Sequence, residues 1–380
     1  MPEESEGSER PPSEGAGGAG RGAGGGAHRA PDGGRGRWGQ RGRWAAFKDS
    51  PYLPATVVSL LAALAAGLFA GTYTYAMANP TPHHIPSGVT GDVRSTGGRA
   101  FVDGMEKALN ASLRLHFYGS VAAARDALDD QRVFAVLDVR PGGRAVDLGV
   151  SGASGESVAE VLERAGPAVG RRIGIPVRVT DVKPLQRGDP RGLAIFYVTL
   201  ASVIIGLVGS FQLSAQAKGL GALQRILFTA GYALLGGFSI TVFADWVLGA
   251  IRLPFPESWL ILTLTMFTAG MVTGMFGVLV GRWAMLPTWG LMVIIGNPSS
   301  GGAVSWPLLP SVLGAIGRWL PPGASVNAQH TAVYFHGHQH AFPFLVLGVW
   351  AAGSTAVFVT WGRLGAPRPT TSVDGTEGSR

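Results

Sequence analysis

The chain has 380 residues and a formal net charge of +7, and 46% of its residues are hydrophobic while only 14% are charged. It contains no cysteine, which excludes disulfide bonds, thiolate catalysis and zinc–thiolate sites. The apolar residues are concentrated in long runs, and a run of about 18 or more such residues predicts a membrane span.

Residues 1–50 are predicted to form a disordered basic cytoplasmic tail with an interfacial segment. They are rich in Gly, Ala and Ser and cannot bury enough apolar surface to form a core. Seven basic residues and one acidic residue lie between positions 21 and 48, and short basic flanks of a span stay in the cytoplasm. Together with Trp38, Trp44 and Phe47 they favour a membrane-surface anchor over an RNA-binding arginine–glycine segment, because a span follows at once. No nucleic-acid partner is therefore predicted.

We predict six membrane spans, five of them from long apolar runs and one from a shorter, broken run. Because successive spans cross in alternate directions, residues 81–190 are predicted to lie outside the cell. The basic residues that flank the spans then lie mostly on the cytoplasmic side, and Arg252 is an exception. Both termini of this multi-pass cell-membrane protein are then cytoplasmic, including a second disordered tail at 366–380. The first transmembrane helix is placed at 51–80, and the apolar runs are 57–76, 193–213, 226–251, 259–280, 283–296 and 342–361.

Residues 81–190 are the one sizeable soluble region, and their pattern mixes helices with strands. That mixture is typical of a small α/β domain, and roughly 100 residues can hold their own core. The predicted fold class is an α-helical integral membrane protein with six transmembrane helices and an extracytoplasmic α/β domain inserted between the first and second. Helices are predicted around Phe101 and Met105, at 120–130 and at 156–169, and strands at 113–117, 132–139, 145–150 and 177–182.

The five-helix membrane domain at 191–365 contains a broken or re-entrant segment, which we place at 296–322. The run before it, 283–296, would rise only about 20 Å as a helix, against roughly 30 Å of hydrocarbon. The sequence GNPSSGGAVSWPLLP, residues 296–310, is too rich in Gly, Pro and Ser for a helix.

An apolar stretch at 308–320 follows the glycine-rich sequence, is too short to span, and is stopped by Pro321 in our prediction. The alternative is an ordinary span followed by a loose outer loop. Residues 297–341 carry one formal charge, Arg318, and so few charges favour the broken segment over a solvated outer loop. Non-helical backbone at membrane depth is tolerated where protein or water satisfies its hydrogen-bonding groups.

Two features of the spans are candidate functional sites. Gly270 and Gly274 are four residues apart, and this spacing favours close helix packing over a pore lining. Asp245 lies in the outer part of the third predicted span, and an intramembrane carboxylate is a functional candidate by default. Its place near the end of the span fits simple contact with interfacial water equally well.

The sequence HGHQH places His336, His338 and His340 at alternate positions, as candidate zinc or copper ligands on one side of an extended strand. Gly337 loosens the backbone there, and no nearby carboxylate is present to orient the rings. We therefore predict interfacial polar histidines, no metal site and no cofactor. The sequence also lacks GxSxG, HExxH and GxxxxGK[ST] motifs, so neither enzymatic activity nor ATP binding by a P-loop is predicted.

One basic-flanked span, a large outer domain and a cluster of spans with a glycine-rich sequence before the last one resemble the ABC type 2 permease superfamily. The similarity is to its YhgE/Pip-like (phage-infection-protein-like) branch and covers roughly residues 45–365. In that branch a Gly-Pro-Ser-Gly-Gly segment precedes a short outer helix and the last span. The matching residues in this chain are Gly296, Pro298, Ser299, Ser300, Gly301, Gly302 and Pro310.

The resemblance implies the membrane-spanning permease component of an exporter for a hydrophobic or amphipathic substrate, driven by a separate ATPase subunit. It also implies a homodimer, or a heterodimer with a homologous permease, in contact with membrane lipids. The inner loop at 216–225 is where a coupling helix would meet the ATPase. The alternative is a non-transporting cell-envelope scaffold or secretion accessory protein that acts through its extracytoplasmic domain.

Overall fold

The computed structural model describes residues 52–364, so the tails predicted at 1–50 and 366–380 lie outside the described residues. The first helix, α1, covers Tyr52–Met77 and is apolar along its whole length. Its 26 residues rise about 39 Å, which is enough to cross a bilayer. From Leu60 onward, the described residues form one compact unit.

The α/β region, residues 81–190, contains five strands and three α-helices. In chain order these elements are β1 (Ile85–Gly91), α2 (Thr96–Ala108), β2 (Leu113–Phe117), α3 (Val121–Asp129), β3 (Ala135–Val139), β4 (Val146–Val150), α4 (Glu156–Ile173) and β5 (Val177–Asp181). The strands form one sheet with the order β2-β1-β3-β4-β5. Strands β3 and β4 pair antiparallel, and all other neighbours pair parallel.

Local sequence explains where these helices begin and which side they bury. The hydroxyl groups of Ser95 and Ser120 accept hydrogen bonds from backbone N–H groups in the first turns of α2 and α3, as N-capping residues do. Phe101 and Met105 of α2 lie in one core with alternate residues of the strands, while α3 packs on the other face against β1 and β3. The predicted strand at 132–139 and the predicted helices match these elements.

Strand β1 was not predicted from the sequence, although it lies in the middle of the sheet between β2 and β3. Its sequence, IPSGVTG, contains Pro86, Gly88 and Gly91, which are poor strand formers. Burial on both faces supports it instead, since Ile85 and Val89 are fully buried on one face and Gly88 and Thr90 are buried on the other. Tertiary packing therefore overrides local propensity at this strand.

Three long apolar helices follow the α/β region: α5 (Ala194–Gln216), α6 (Ala222–Val242) and α7 (Phe255–Val280). A π-helical turn, Phe243–Val247, extends α6, so the helix ends four residues before the predicted limit at Ile251. The Asp245 side chain accepts a hydrogen bond from the Leu253 N–H at 3.1 Å, and Gly249 has a positive φ of 59°. Both features turn the chain towards α7.

The last part contains α8 (Met285–Ile295), α9 (Ser311–Gly317), α10 (Pro321–Tyr334) and α11 (Ala341–Leu364). Among the described residues, five helices are long and apolar enough to span a membrane: α1, α5, α6, α7 and α11. This is the pattern of a multi-pass membrane protein. The sixth predicted span is not confirmed, because α8 has only 11 residues and rises about 16 Å.

The pair Pro321-Pro322 follows the end of the apolar stretch, as predicted, and it also has an effect that was not predicted. The two prolines begin α10. Proline fits the first turn of a helix because the backbone N–H groups there have no hydrogen-bond partner within the helix, so the N–H that proline lacks is not needed. Nearly all of α10 is buried, so the region between 297 and 341 is not a loose outer loop.

Two glycines of α7, Gly270 and Gly274, face neighbouring helices. A Cβ at Gly270 would lie 2.5 Å from the Tyr232 hydroxyl, which itself donates to the Gly206 carbonyl oxygen at 2.8 Å. A Cβ at Gly274 would lie 3.4 Å from the ring of Phe358 in α11. Gly277 differs, since no side chain or backbone of the described residues lies within 4 Å of such a Cβ. Gly270 thus brings α5, α6 and α7 together.

Candidate functional site at the base of the α/β region

The glycine-rich segment, residues 296–310, is irregular backbone that lies inside the protein. Gly296, Pro298, Ser299 and Ser300 are buried, and Gly301, Gly302 and Pro310 are half-buried. The chain's own groups satisfy much of its polarity: the Ser299 hydroxyl donates to the Ile295 carbonyl at 2.7 Å, and the Asn297 amide donates to the Tyr73 hydroxyl at 2.7 Å. This is the condition under which such backbone is tolerated among membrane helices.

The end of this segment is the first of two attachments to the α/β region. The His83 N–H donates to the Pro307 carbonyl at 2.6 Å, and the Ser305 N–H donates to the Ser157 hydroxyl at 3.0 Å. Leu308 and Leu309 are fully buried in the same core as the sheet and helices α2 and α4. The end of the segment is therefore part of the α/β core rather than a separate loop.

The second attachment joins the end of α3 to α10 and the residues after it. The Gln131 amide donates to the Thr331 hydroxyl at 2.8 Å. Lys183 forms an ion pair with Asp129, and its ammonium group lies 4.6 Å from the centre of the Phe335 ring. Phe335 is 1% exposed and belongs to an apolar cluster that also contains residues of α3, α5, α7 and α10.

The predicted histidines take part in this second attachment. His338 Nδ1 lies 2.9 Å from the Asp130 carboxylate, and His340 Nε2 lies 3.2 Å from the Asp130 carbonyl oxygen. The prediction that no carboxylate orients these rings was wrong for His338, because the Asp130 carboxylate contacts its ring from 208 positions away in sequence. His336 is exposed. Within residues 52–364, no group of three or more His, Cys, Asp or Glu side chains is arranged to hold a metal ion.

The contact between His338 and Asp130 is expected to make the stability of the fold depend on pH. The hydrogen bond from His338 holds the pKa of the Asp130 carboxyl below its ordinary value of about 4, with a smaller effect from Arg132. A lowered pKa stabilises the fold above the ordinary value, and this contribution is lost as the pH falls through the lowered pKa. We expect Asp130→Asn to lower the thermal unfolding midpoint at pH 7, and this difference to shrink below about pH 4.

The matched control for this experiment is Asp126→Asn, which removes an exposed carboxylate from α3, the helix that ends just before Asp130. The midpoints of wild type and both variants would be measured in detergent at pH 7 and pH 3.5. A deficit of Asp130→Asn that stays the same at both pH values, or that equals the effect of Asp126→Asn, would contradict the assignment.

Residues of both attachments border a cavity of about 600 Å³. Its lining includes His83 and Trp306 from the first attachment, and Gln131 and His340 from the second. The size falls in the range of small-molecule sites, which are usually 300–1,000 Å³. This cavity is the candidate functional site.

The charge of the cavity lining is positive. Arg114 on β2 and Arg318 at the end of α9 both line it, and none of its lining residues is Asp or Glu. The Arg318 guanidinium lies 5.9 Å from the centre of the Trp306 ring. Burial lowers the pKa of His330, another lining residue, so its ring is neutral at pH 7. The two arginines therefore provide the fixed charge.

Beside the cavity, α9 exposes an apolar side. Ser311, Gly314 and Ala315 line the cavity, whereas Val312 and Ile316 are 66% and 43% exposed. Trp319, just after α9, is also exposed, and its carbonyl oxygen accepts a hydrogen bond from the Trp350 indole N–H at 2.9 Å. Its ring packs edge-on against Phe342 at 5.0 Å. Exposed aromatic and apolar side chains of this kind are typical of membrane interfaces.

The site residues predicted from the sequence divide into two groups. Ser300 and Gly301 line the cavity together with four later residues of the same segment, whereas Gly296, Pro298, Ser299, Gly302 and Pro310 do not. Asp245 lies elsewhere and orders the turn between α6 and α7. Arg114 and His330 were missed, because no motif marks them. Arg318 had a signal, since it is the one formal charge between 297 and 341.

Comparison with known proteins gives no family for this chain. No protein-family model matches it, and no curated protein matches it significantly. The functional argument therefore depends on the geometry of the site.

Proposed function

We propose that this chain is the membrane component of an exporter that handles an amphipathic substrate at the cavity below the α/β region. The observation that carries this proposal is that a positively charged cavity lining lies next to an exposed apolar helix surface. The cavity presents Arg114 and Arg318 together with Trp306, and the apolar side of α9 is exposed beside it. A molecule with a polar head and an apolar tail matches both surfaces.

The path of the chain supports six crossings, the last but one of them broken. The Gln186 side chain and the Arg252 backbone exchange two hydrogen bonds, at 2.7 and 3.0 Å, so α7 begins beside the α/β region. The 26 residues of α7 then carry the chain about 39 Å away. By Ser305 the chain contacts the α/β region again. We propose that α8 and the glycine-rich segment together make this return crossing.

In the same proposal, a separate ATPase subunit supplies the energy, and a second copy or a homologous permease completes the transporter. The contact for the ATPase would be the loop between α5 and α6, on the side of the membrane away from the α/β region. That loop carries Lys218, and with Arg282 it supports a cytoplasmic assignment for this side.

One observation favours the alternative of a non-transporting envelope scaffold or secretion accessory protein. The loop between α5 and α6 consists of residues 217–221 and contains no helix of its own. Five residues offer little surface to transmit force from an ATPase. The scaffold alternative predicts that the α/β region binds other proteins and that no ATPase is involved.

The proposed orientation can be tested with single cysteines, because the chain has none of its own. Gly119→Cys lies on the α/β region and Gly219→Cys lies in the loop between α5 and α6, and a Cβ at either position meets open space. We expect a membrane-impermeant maleimide to label Gly119→Cys in intact cells, and Gly219→Cys only after the membrane is permeabilised. Labelling of Gly119→Cys only in permeabilised cells would refute the orientation.

Export itself is tested by reconstitution. The full chain would be purified from its native membrane with any ATPase that accompanies it and placed in liposomes containing a fluorescent amphiphile. We expect ATP-dependent movement of the amphiphile between the leaflets, abolished when residues 217–221 are replaced by Gly and Ser. Absence of an accompanying ATPase, together with absence of movement, would favour the scaffold alternative.

A further inference from the structure

We infer that the cavity binds the head group of an acidic amphiphile, in which a phosphate-type anion is joined to an apolar tail. The inference rests on the proposed function and adds to it the charge of the substrate. It also makes a claim about binding alone, which can be tested without transport.

The first argument for this inference is the charge of the lining. In the part of the chain that the structure describes, neither Arg114 nor Arg318 forms an ion pair, and no carboxylate lines the cavity with them. The planar guanidinium group of arginine binds phosphate through two parallel hydrogen bonds. Two unpaired arginines at one cavity therefore favour an anion and disfavour a cation.

The second argument concerns the neutral polar groups of the same lining. Gln131, Ser154, Ser311 and Asn327 provide amide and hydroxyl donors. Donors of this kind complete the hydrogen bonds of an oxyanion whose charge the arginines balance. The lining as a whole is thus rich in donors, and it contains no carboxylate to balance the positive charge of a choline or ammonium head group.

The third argument concerns the tail. Because Gly314 and Ala315 line the cavity while Val312 and Ile316 are exposed next to them on the same helix, a bound head group has apolar surface within reach. Trp319 and Phe342 add aromatic rings of the kind found at the level of lipid head groups. A free inorganic anion would use none of this surface.

The test compares two fluorescent lipids with identical acyl chains, phosphatidic acid and phosphatidylcholine, binding to the full-length protein in neutral detergent. We expect a dissociation constant for phosphatidic acid at least about tenfold below that for phosphatidylcholine. Arg114→Gln and Arg318→Gln should each weaken phosphatidic acid binding by about tenfold and weaken phosphatidylcholine binding less. Both arginines are exposed, so neither change should alter the thermal unfolding midpoint.

Arg171→Gln is the matched control, because Arg171 is an exposed arginine of α4 that does not line the cavity. Equal affinity for the two lipids, or equal loss in Arg171→Gln and Arg318→Gln, would overturn the inference. Inorganic phosphate is the third arm: displacement of phosphatidic acid by millimolar phosphate would assign the site to a free anion and overturn the amphiphile assignment.

This experiment separates the inference from the proposed function. Selective binding of phosphatidic acid without ATP-dependent movement in liposomes would support the inference and count against export. Export of an amphiphile that binds equally well to wild type and Arg318→Gln would support export and overturn the inference.

Discussion

Gly317→Ala is expected to destabilise the protein by at least about 3 kcal/mol, because the added methyl group has no space. The Cβ would overlap the Ser299 carbonyl oxygen and lie 2.6 Å from its carbonyl carbon. Both groups are backbone, so no side-chain rotation relieves the overlap. Gly323, near the start of α10, makes a similarly close approach to the Gly317 carbonyl. The joint between α9 and α10 therefore fixes the glycine-rich segment.

The measurement is the thermal unfolding midpoint of the full chain in detergent, with Gly277→Ala as the control. A Cβ at Gly277 meets open space within the described residues, and alanine favours a helix, so this variant should match or slightly exceed wild type. If Gly317→Ala and Gly277→Ala unfold at the same temperature, the close packing of α9 on Ser299 is refuted.

Phe335→Ala should cost about 3–5 kcal/mol, the range for removing a buried aromatic side chain. Phe335 is 1% exposed and lies in the apolar cluster that joins α3 to the long helices. Its removal also takes away the ring beneath the Lys183 ammonium group, which is paired with Asp129. We expect the second attachment to loosen and amide hydrogen exchange in α3 to increase.

Phe117→Ala is the control for this variant, because Phe117 is a phenylalanine of the α/β region with 69% exposure. It should change stability by less than about 0.5 kcal/mol, as surface substitutions usually do. Equal unfolding midpoints for the two variants, or unchanged exchange in α3 of Phe335→Ala, would show that Phe335 is not an anchor.

The elements that could be predicted from the sequence are those whose own residues show a characteristic spacing or composition. The five long apolar runs correspond to helices of spanning length, since a helix in lipid must satisfy its backbone internally and must be apolar throughout. Amphipathic spacing likewise located α2 through Phe101 and Met105. The abnormal composition of residues 296–310 indicated irregular backbone, and the structure places that backbone inside the protein.

The sequence could not predict features that depend on distant partners. Strand β1 has the composition of a loop and is a strand because β2 and β3 flank it. The contact of Asp130 with His338 joins residues 208 positions apart, which no local pattern shows. The cavity likewise brings together Arg114 and Arg318, which are 204 positions apart in sequence.

The most direct test of the account is whether an acidic amphiphile occupies the cavity. In Ala315→Cys, the introduced thiol is the one thiol of the chain and lies in the cavity lining. We predict that phosphatidic acid, compared with phosphatidylcholine, slows its reaction with a water-soluble maleimide at least fivefold (on the order of the expected occupancy difference). The exposed control Ala108→Cys on α2 should react at the same rate in both lipids. Equal rates for Ala315→Cys in the two lipids would contradict the account.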